Sequence, residues 1–176
     1  MKWFNHILSI IFCATLTLSF AQQISVDNTL SASDIVQNTL VQGCVEVSNI
    51  SSPVNGSVSG LGSFGYFQRG SSNFPFENGL ILSTGDALAA GNTQNTNVLN
   101  DGTSAWGTDA DLESTLGITN TLNATTIEFD FISASNQVQF NYILASEEYF
   151  ANFPCQYSDG FAFLIKPTSS AGPYLN

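Results

Sequence analysis

The sequence predicts a mainly β protein: an antiparallel β-sandwich of the jelly-roll or lectin-like kind, with one short N-terminal helix. Three observations predict it. Several short runs alternate apolar with polar residues, the period-2 mark of strands buried on one face. These runs are divided by clusters of Gly, Ser, Asn and Pro that favour turns. Helical spacing, in contrast, occurs once, near the start of the chain, and one helix among many short strands suits packed antiparallel layers.

The first residues, "MKWFNHILSIIFCATLTLSFAQQ", combine a basic Lys2, an apolar stretch from Ile7 to Phe20, and small residues at Ser19 and Ala21. That is the pattern of a secretory signal peptide cleaved after Ala21. The apolar stretch is shorter than the roughly 20 residues of a membrane span, so no transmembrane segment is expected after cleavage. Residues 1–21 are therefore read as the signal, and residues 22–176 as one domain. The ending "SAGPYLN" closes with no further strand, so the chain is expected to be the N-terminal piece of something longer.

Within the domain, "SASDIVQNTLVQG" sets Ile35, Leu40 and Val41 on a helical stripe, with Ser31 or Ser33 as the N-cap and Gly43 as the stop. From "CVEVSNI" the pattern turns to β, with Val45 and Val47 alternating with Glu46 and Ser48. "GLILST" at Gly79–Thr84 reads as a short apolar strand. "TTIEFDFI" alternates Ile127, Phe129 and Phe131 with Glu128 and Asp130, and "VQFNYILA" repeats the device with Val138, Phe140, Tyr142 and Leu144. "SASNQ" between those two suits a hairpin loop. "GFAFLIKP", apolar on both faces, is expected to lie centrally and covered. The intervening "AAGNTQNTNVLNDGTSAWGTDADLESTLG" is polar, carries little strand signal, and reads as a long loop of the kind that is functional, ordered by a cation or disordered.

Charge and composition exclude whole classes of function. The chain carries 14 acidic residues against three basic ones, for a net charge of −11. Loss of the signal would remove Lys2 and leave Arg69 and Lys166 as the only basic residues. A nucleic-acid partner is excluded on that ground, since phosphate binding depends on clustered Lys and Arg. The single histidine, His6, lies in the signal, so Ser–His and Cys–His nucleophilic pairs and the usual zinc sites are excluded as well. Outside the signal two cysteines remain, Cys44 and Cys155. In an oxidising compartment they are expected to pair. Closing a loop of roughly a hundred residues stabilises by about 4–5 kcal/mol in the chain-entropy model, before strain.

Carboxylates supply the other candidates. In "SEEYFANFPCQYSDGFAF", Glu147, Glu148 and Asp159 stand among aromatic rings. If "NYILAS" ends one strand and "GFAFLI" begins the next, these acids bracket a rim loop, where they accept backbone N–H groups or a Ca²⁺ ion. Asp109 and Asp111 offer further oxygen ligands, although "D-A-D-L-E" is not an EF-hand loop. Glu128 and Asp130, on one face of a strand, would stand about 6.5–7 Å apart, which suits a shared Ca²⁺ and equally an ordinary polar face. Glu147 and Glu148 are adjacent and would leave extended backbone on opposite faces, a poor acid/base pair. Exposed rings are the last group. Trp106, Phe74 and Tyr149 are candidates for stacking on a sugar, with core plugs at the sandwich ends as the plainer account. No catalytic residue and no certain cofactor emerges, Ca²⁺ being the one candidate ion.

Several motifs in order, "SSNFPFENGLILSTGDALAAG", "TDADLE", "TTIEFDFISASNQVQFNYILASEEY" and "SDGFAFLI", resemble the choice-of-anchor L domain of secreted bacterial proteins, chiefly from Bacteroidota. The resemblance covers roughly residues 40–173. It implies an exported surface or secreted module, adhesive or ligand-binding, in proteins that often carry a C-terminal sorting signal of the type IX secretion system. It implies no catalytic residue. "SDGFAFLIKP" also looks like the "D-G-x-A-F-F" strand of legume-type lectins, whose Asp helps form a sugar and Ca²⁺ site, and "EFDF" looks like their metal-binding strand, in reversed order here. That likeness makes Asp159 the first candidate. The leading expectation is thus a non-enzymatic extracellular module that binds a glycan or a protein. The alternatives are a polysaccharide-active hydrolase or its accessory domain, and a structural spacer.

Overall fold

Ser31 begins the first helical element. Its hydroxyl accepts from the Asp34 N–H at 3.1 Å while the Asp34 carboxylate accepts from the Ser31 N–H, a capping box that sets the start of α1, Ala32–Ile35. The helix then widens into a π turn over Val36–Leu40. Soon afterwards Gly43, at φ +86°, takes the left-handed conformation that glycine adopts without strain. Ile35 and Val36 are fully buried, so the expected helix is present and its apolar stripe anchors the core.

The computed structural model describes residues 23–91, 106–149, 152, 153, 156 and 158–175. Its strands form two antiparallel sheets. In the first, β1 (Ser25–Asp27) pairs with β3 (Phe64–Gln68), which pairs with β4 (Asn78–Leu82). In the second, β2 (Val45–Ser51) pairs with β5 (Glu128–Ser133), Val47 opposite Phe131. The helical segment touches both sheets, α1 against β2 and the π turn against β4. The protein is mainly β, as expected, with few helices.

β2 and β5 lie where alternation places them, and β4 where the short apolar run "GLILST" does. The partner of β5 differs from expectation. It pairs with β2 and forms no hairpin with "VQFNYILA" among the described residues. β1 and β3 are additional strands. β3 passes so close to β1 that a Cβ at Gly65 would lie 2.8 Å from the Asp27 carbonyl oxygen, which explains a glycine in mid-strand.

The polar passage expected to be a loop holds a helix, α2, Ala110–Leu116. Asp109 caps it, its carboxylate accepting from the Leu112 N–H at 2.7 Å, and Gly117, at φ +67°, ends it in the left-handed conformation. Beside it Trp106 is fully buried, and its indole Nε1 donates to the Ala124 carbonyl at 2.7 Å. A buried hydroxyl ties the neighbouring turns together. Ser63 Oγ accepts from the Gly56 N–H at 2.8 Å and from Thr125 Oγ1 at 2.9 Å.

Candidate functional site

The two segments after β5 that read as strands, "VQFNYILA" and "GFAFLI", form no ladder among the described residues. Phe140, Tyr142, Phe161 and Phe163 instead meet ring to ring. Phe140 stacks on Phe163 at 4.6 Å between centroids, and Tyr142 lies 5.4 Å from Phe161 and 5.6 Å, edge-on, from Phe163. Pairing 140 with 163 and 142 with 161 means that the two segments run antiparallel. Contact between residues two apart, as for Phe161 and Phe163 at 4.9 Å, places them on one face of extended chain. The face is open: Tyr142 is 60 % exposed, and Phe161, at 37 %, is not covered as "GFAFLIKP" was expected to be. Alternation reports which faces favour burial, and no described layer lies over this one.

At one end of this ring ladder is a cleft of about 470 Å³. It is lined by Leu116 and Ile118, at the end of α2 and just past it, by Tyr142 and Leu144, and by Ser158, Asp159, Gly160 and Phe161. Gly160 packs against Leu116 there, and a Cβ at that position would lie 2.7 Å from the end of the Leu116 side chain, which would have to shift. The cleft thus joins exposed aromatic and aliphatic surface to one carboxylate, Asp159.

The other sequence candidates separate. Glu147 and Glu148 begin a 3-10 turn, Glu147–Tyr149, rather than lying in extended backbone, and the Glu148 N–H donates to Ser146 Oγ at 3.1 Å. Tyr149 is an exposed ring at 73 %. Phe74 is half-buried, edge-on to Phe67 at 5.3 Å and to Phe76 at 6.1 Å. Trp106 offers no face to a ligand, since close packing and its hydrogen bond to Ala124 make it a core plug. Cys44 is exposed just before β2 with no disulfide partner among the described residues, and Cys155 lies outside them.

Asp109, Asp111 and Glu128 share an electrostatic environment. Partial desolvation pushes the Glu128 carboxyl above its usual range, Asp109 and Asp111 push it further, and Lys166 opposes them. Asp109 is engaged as the α2 cap. Asp130 accepts from Asn49 Nδ2 across the second sheet at 2.6 Å. Among the described residues, no group of three or more His, Cys, Asp or Glu side chains is placed to hold a metal ion. Sequence reasoning missed Leu116, Ile118, Tyr142 and Phe161 as lining residues, because "VQFNYILA" and "GFAFLI" read as buried strands. The available signal was an acid, Asp159, next to such a strand.

No helix among the described residues is long and apolar enough to cross a membrane. The sequence matches the choice-of-anchor L domain over residues 23–176, and the chain belongs to that family. The family points to an extracellular or cell-surface location. No curated protein and no solved structure matches the chain.

Proposed function

We propose that the chain is a non-enzymatic module, exported by residues 1–21, that binds a ligand outside the cell in the cleft beside Asp159. The observation that carries this reading is the meeting of exposed Tyr142 and Phe161 with Asp159 in one open cleft. Rings on a soluble surface are costly to leave in water unless a partner covers them. Family membership supports the extracellular setting. The two layers are read as faces of a sandwich, and a Cys44–Cys155 bond as the staple of the rim loop.

The test is a panel of glycans and extracellular proteins probed with and without EGTA, beside a reducing-sugar assay on polysaccharides. Binding without turnover supports the module, and loss in EGTA would add a Ca²⁺ ion to the rim. Turnover would make the domain a hydrolase. Neither binding nor turnover would make it a spacer.

A further inference from the structure

We infer that the ligand of this cleft is a lysine or arginine side chain presented by a protein partner, an inference that rests on the ligand-binding reading above and names its chemistry. The lining decides between the two ligand classes. A sugar carries hydroxyls around its whole ring, and each one buried without a partner is costly. The lining residues with polar side chains are few: Asp159, Ser158 and Tyr142. The remaining lining residues are Leu116, Ile118, Leu144, Phe161 and Gly160.

An amphipathic cation fits that distribution. The methylene stem of Lys or Arg packs along aliphatic walls while its head stays polar. Ring faces attract the cation, and the carboxylate pairs with it. The protein makes such a contact itself, holding Lys166 Nζ 4.0 Å from the centre of the Tyr174 ring. Charge complementarity favours the same partner, since a net charge of −11 draws basic groups to the protein and Asp159 places one carboxylate in the cleft itself. Phe140 and Phe163, each exposed by about two-fifths, extend the apolar surface past the cleft. That is more contact area than a free amine would use, and it suits the residues flanking a basic side chain in a polypeptide.

The test titrates the protein by calorimetry with a short peptide carrying one lysine between leucines, and with the same peptide Nε-acetylated. Asp159→Asn and Tyr142→Ala probe the cleft. Glu77→Gln removes an equal charge outside it. Acetylation is expected to abolish binding, and each cleft variant to weaken it by about three- to thirtyfold, with Glu77→Gln within about twofold. Equal losses in Asp159→Asn and Glu77→Gln would reduce the attraction to diffuse charge and overturn the inference, as would undiminished binding of the acetylated peptide. The acetylation comparison uses the unmodified protein, so it stands even if a variant misfolds. A glycan held in an Asp159-dependent manner while the lysine peptide is ignored would overturn this inference and leave the ligand-binding reading intact. Failure of every probe would end both.

Discussion

Asn49 donates its side-chain amide to Asp130 at 2.6 Å, across the point where the β2–β5 register slips between Ser48 and Ser51. Asn49 is in the left-handed region, at φ +53°, where Asn is tolerated better than most residues. The bond therefore fixes a bulge, and this is a structural use for an acid that the sequence also offered as a metal ligand. Asn49→Ala should destabilise by about 1–3 kcal/mol, combining a lost hydrogen bond with left-handed strain. Asn49→Gly, which relieves the strain, should lose less. Urea denaturation of the two variants checks the order.

Trp106 holds the loop before α2 to the Ala124 segment through its indole N–H. A Cβ at Gly56 would lie 3.0 Å from the ring, so there is no slack around it. Trp106→Ala should cost about 3–5 kcal/mol. Trp106→Phe should cost less, chiefly through the unpaired Ala124 carbonyl, and Gly56→Ala about 1–3 kcal/mol through overpacking. Trp3 lies within residues 1–21, so Trp106 fluorescence in the chain lacking them reports this site alone. It should be blue-shifted in the folded protein and move red on denaturation.

Part of the fold was legible in sequence and part was not. β2, β4, β5 and the first helix announce themselves by local signals: alternation, turn residues and the Ser31 box. β3, "FGYFQ", was hidden because Gly65 and its Gly/Ser surroundings resemble a loop, and the reason for that glycine is the non-local approach of Asp27. α2 was hidden because Asp109 and Asp111 resemble cation ligands, although Asp109 is a cap and Gly117 a stop. Alternation in "VQFNYILA" correctly placed Phe140 and Tyr142 on one face. It carries no information on what pairs with that segment or covers it, and for the same reason the cleft beside Asp159 could be read only through its acid.

α2 depends on few groups. It has seven residues and no buried side chain among those described, so its cap and its tie to the following loop matter more than packing. The tie is Glu113, whose carboxylate accepts from the Thr121 N–H at 2.7 Å and from the hydroxyls of Thr121 and Thr108, each at 2.9 Å. Asp109→Ala should destabilise the helix by about 1 kcal/mol. Glu113→Ala should release the Thr121 loop. Amide hydrogen exchange at Leu112 should quicken in the first variant, and at Thr121 in the second, while β3 and β4 stay protected.

Stability should respond to acid through opposed carboxylates. The Thr121 N–H is the largest of the hydrogen bonds holding Glu113 below its ordinary value of 4.5, and the Thr29 hydroxyl, then its N–H, hold Asp27 below 3.8. Both are lowered in the folded state, so their contributions are present above those ordinary values and are lost as pH falls through the depressed ones. Glu128 has the opposite sign. Desolvation first, then Asp109 and Asp111, raise it above 4.5, so its ionisation weakens the fold as pH climbs through the raised value. Glu128→Gln should therefore stabilise the protein at neutral pH by a few tenths of a kcal/mol, about what screened surface charges contribute, and the gain should vanish below pH 4.5. Thermal melts of the two proteins across that range give the result, and a variant less stable than the parent at neutral pH would show that Glu128 is held by a favourable partner instead.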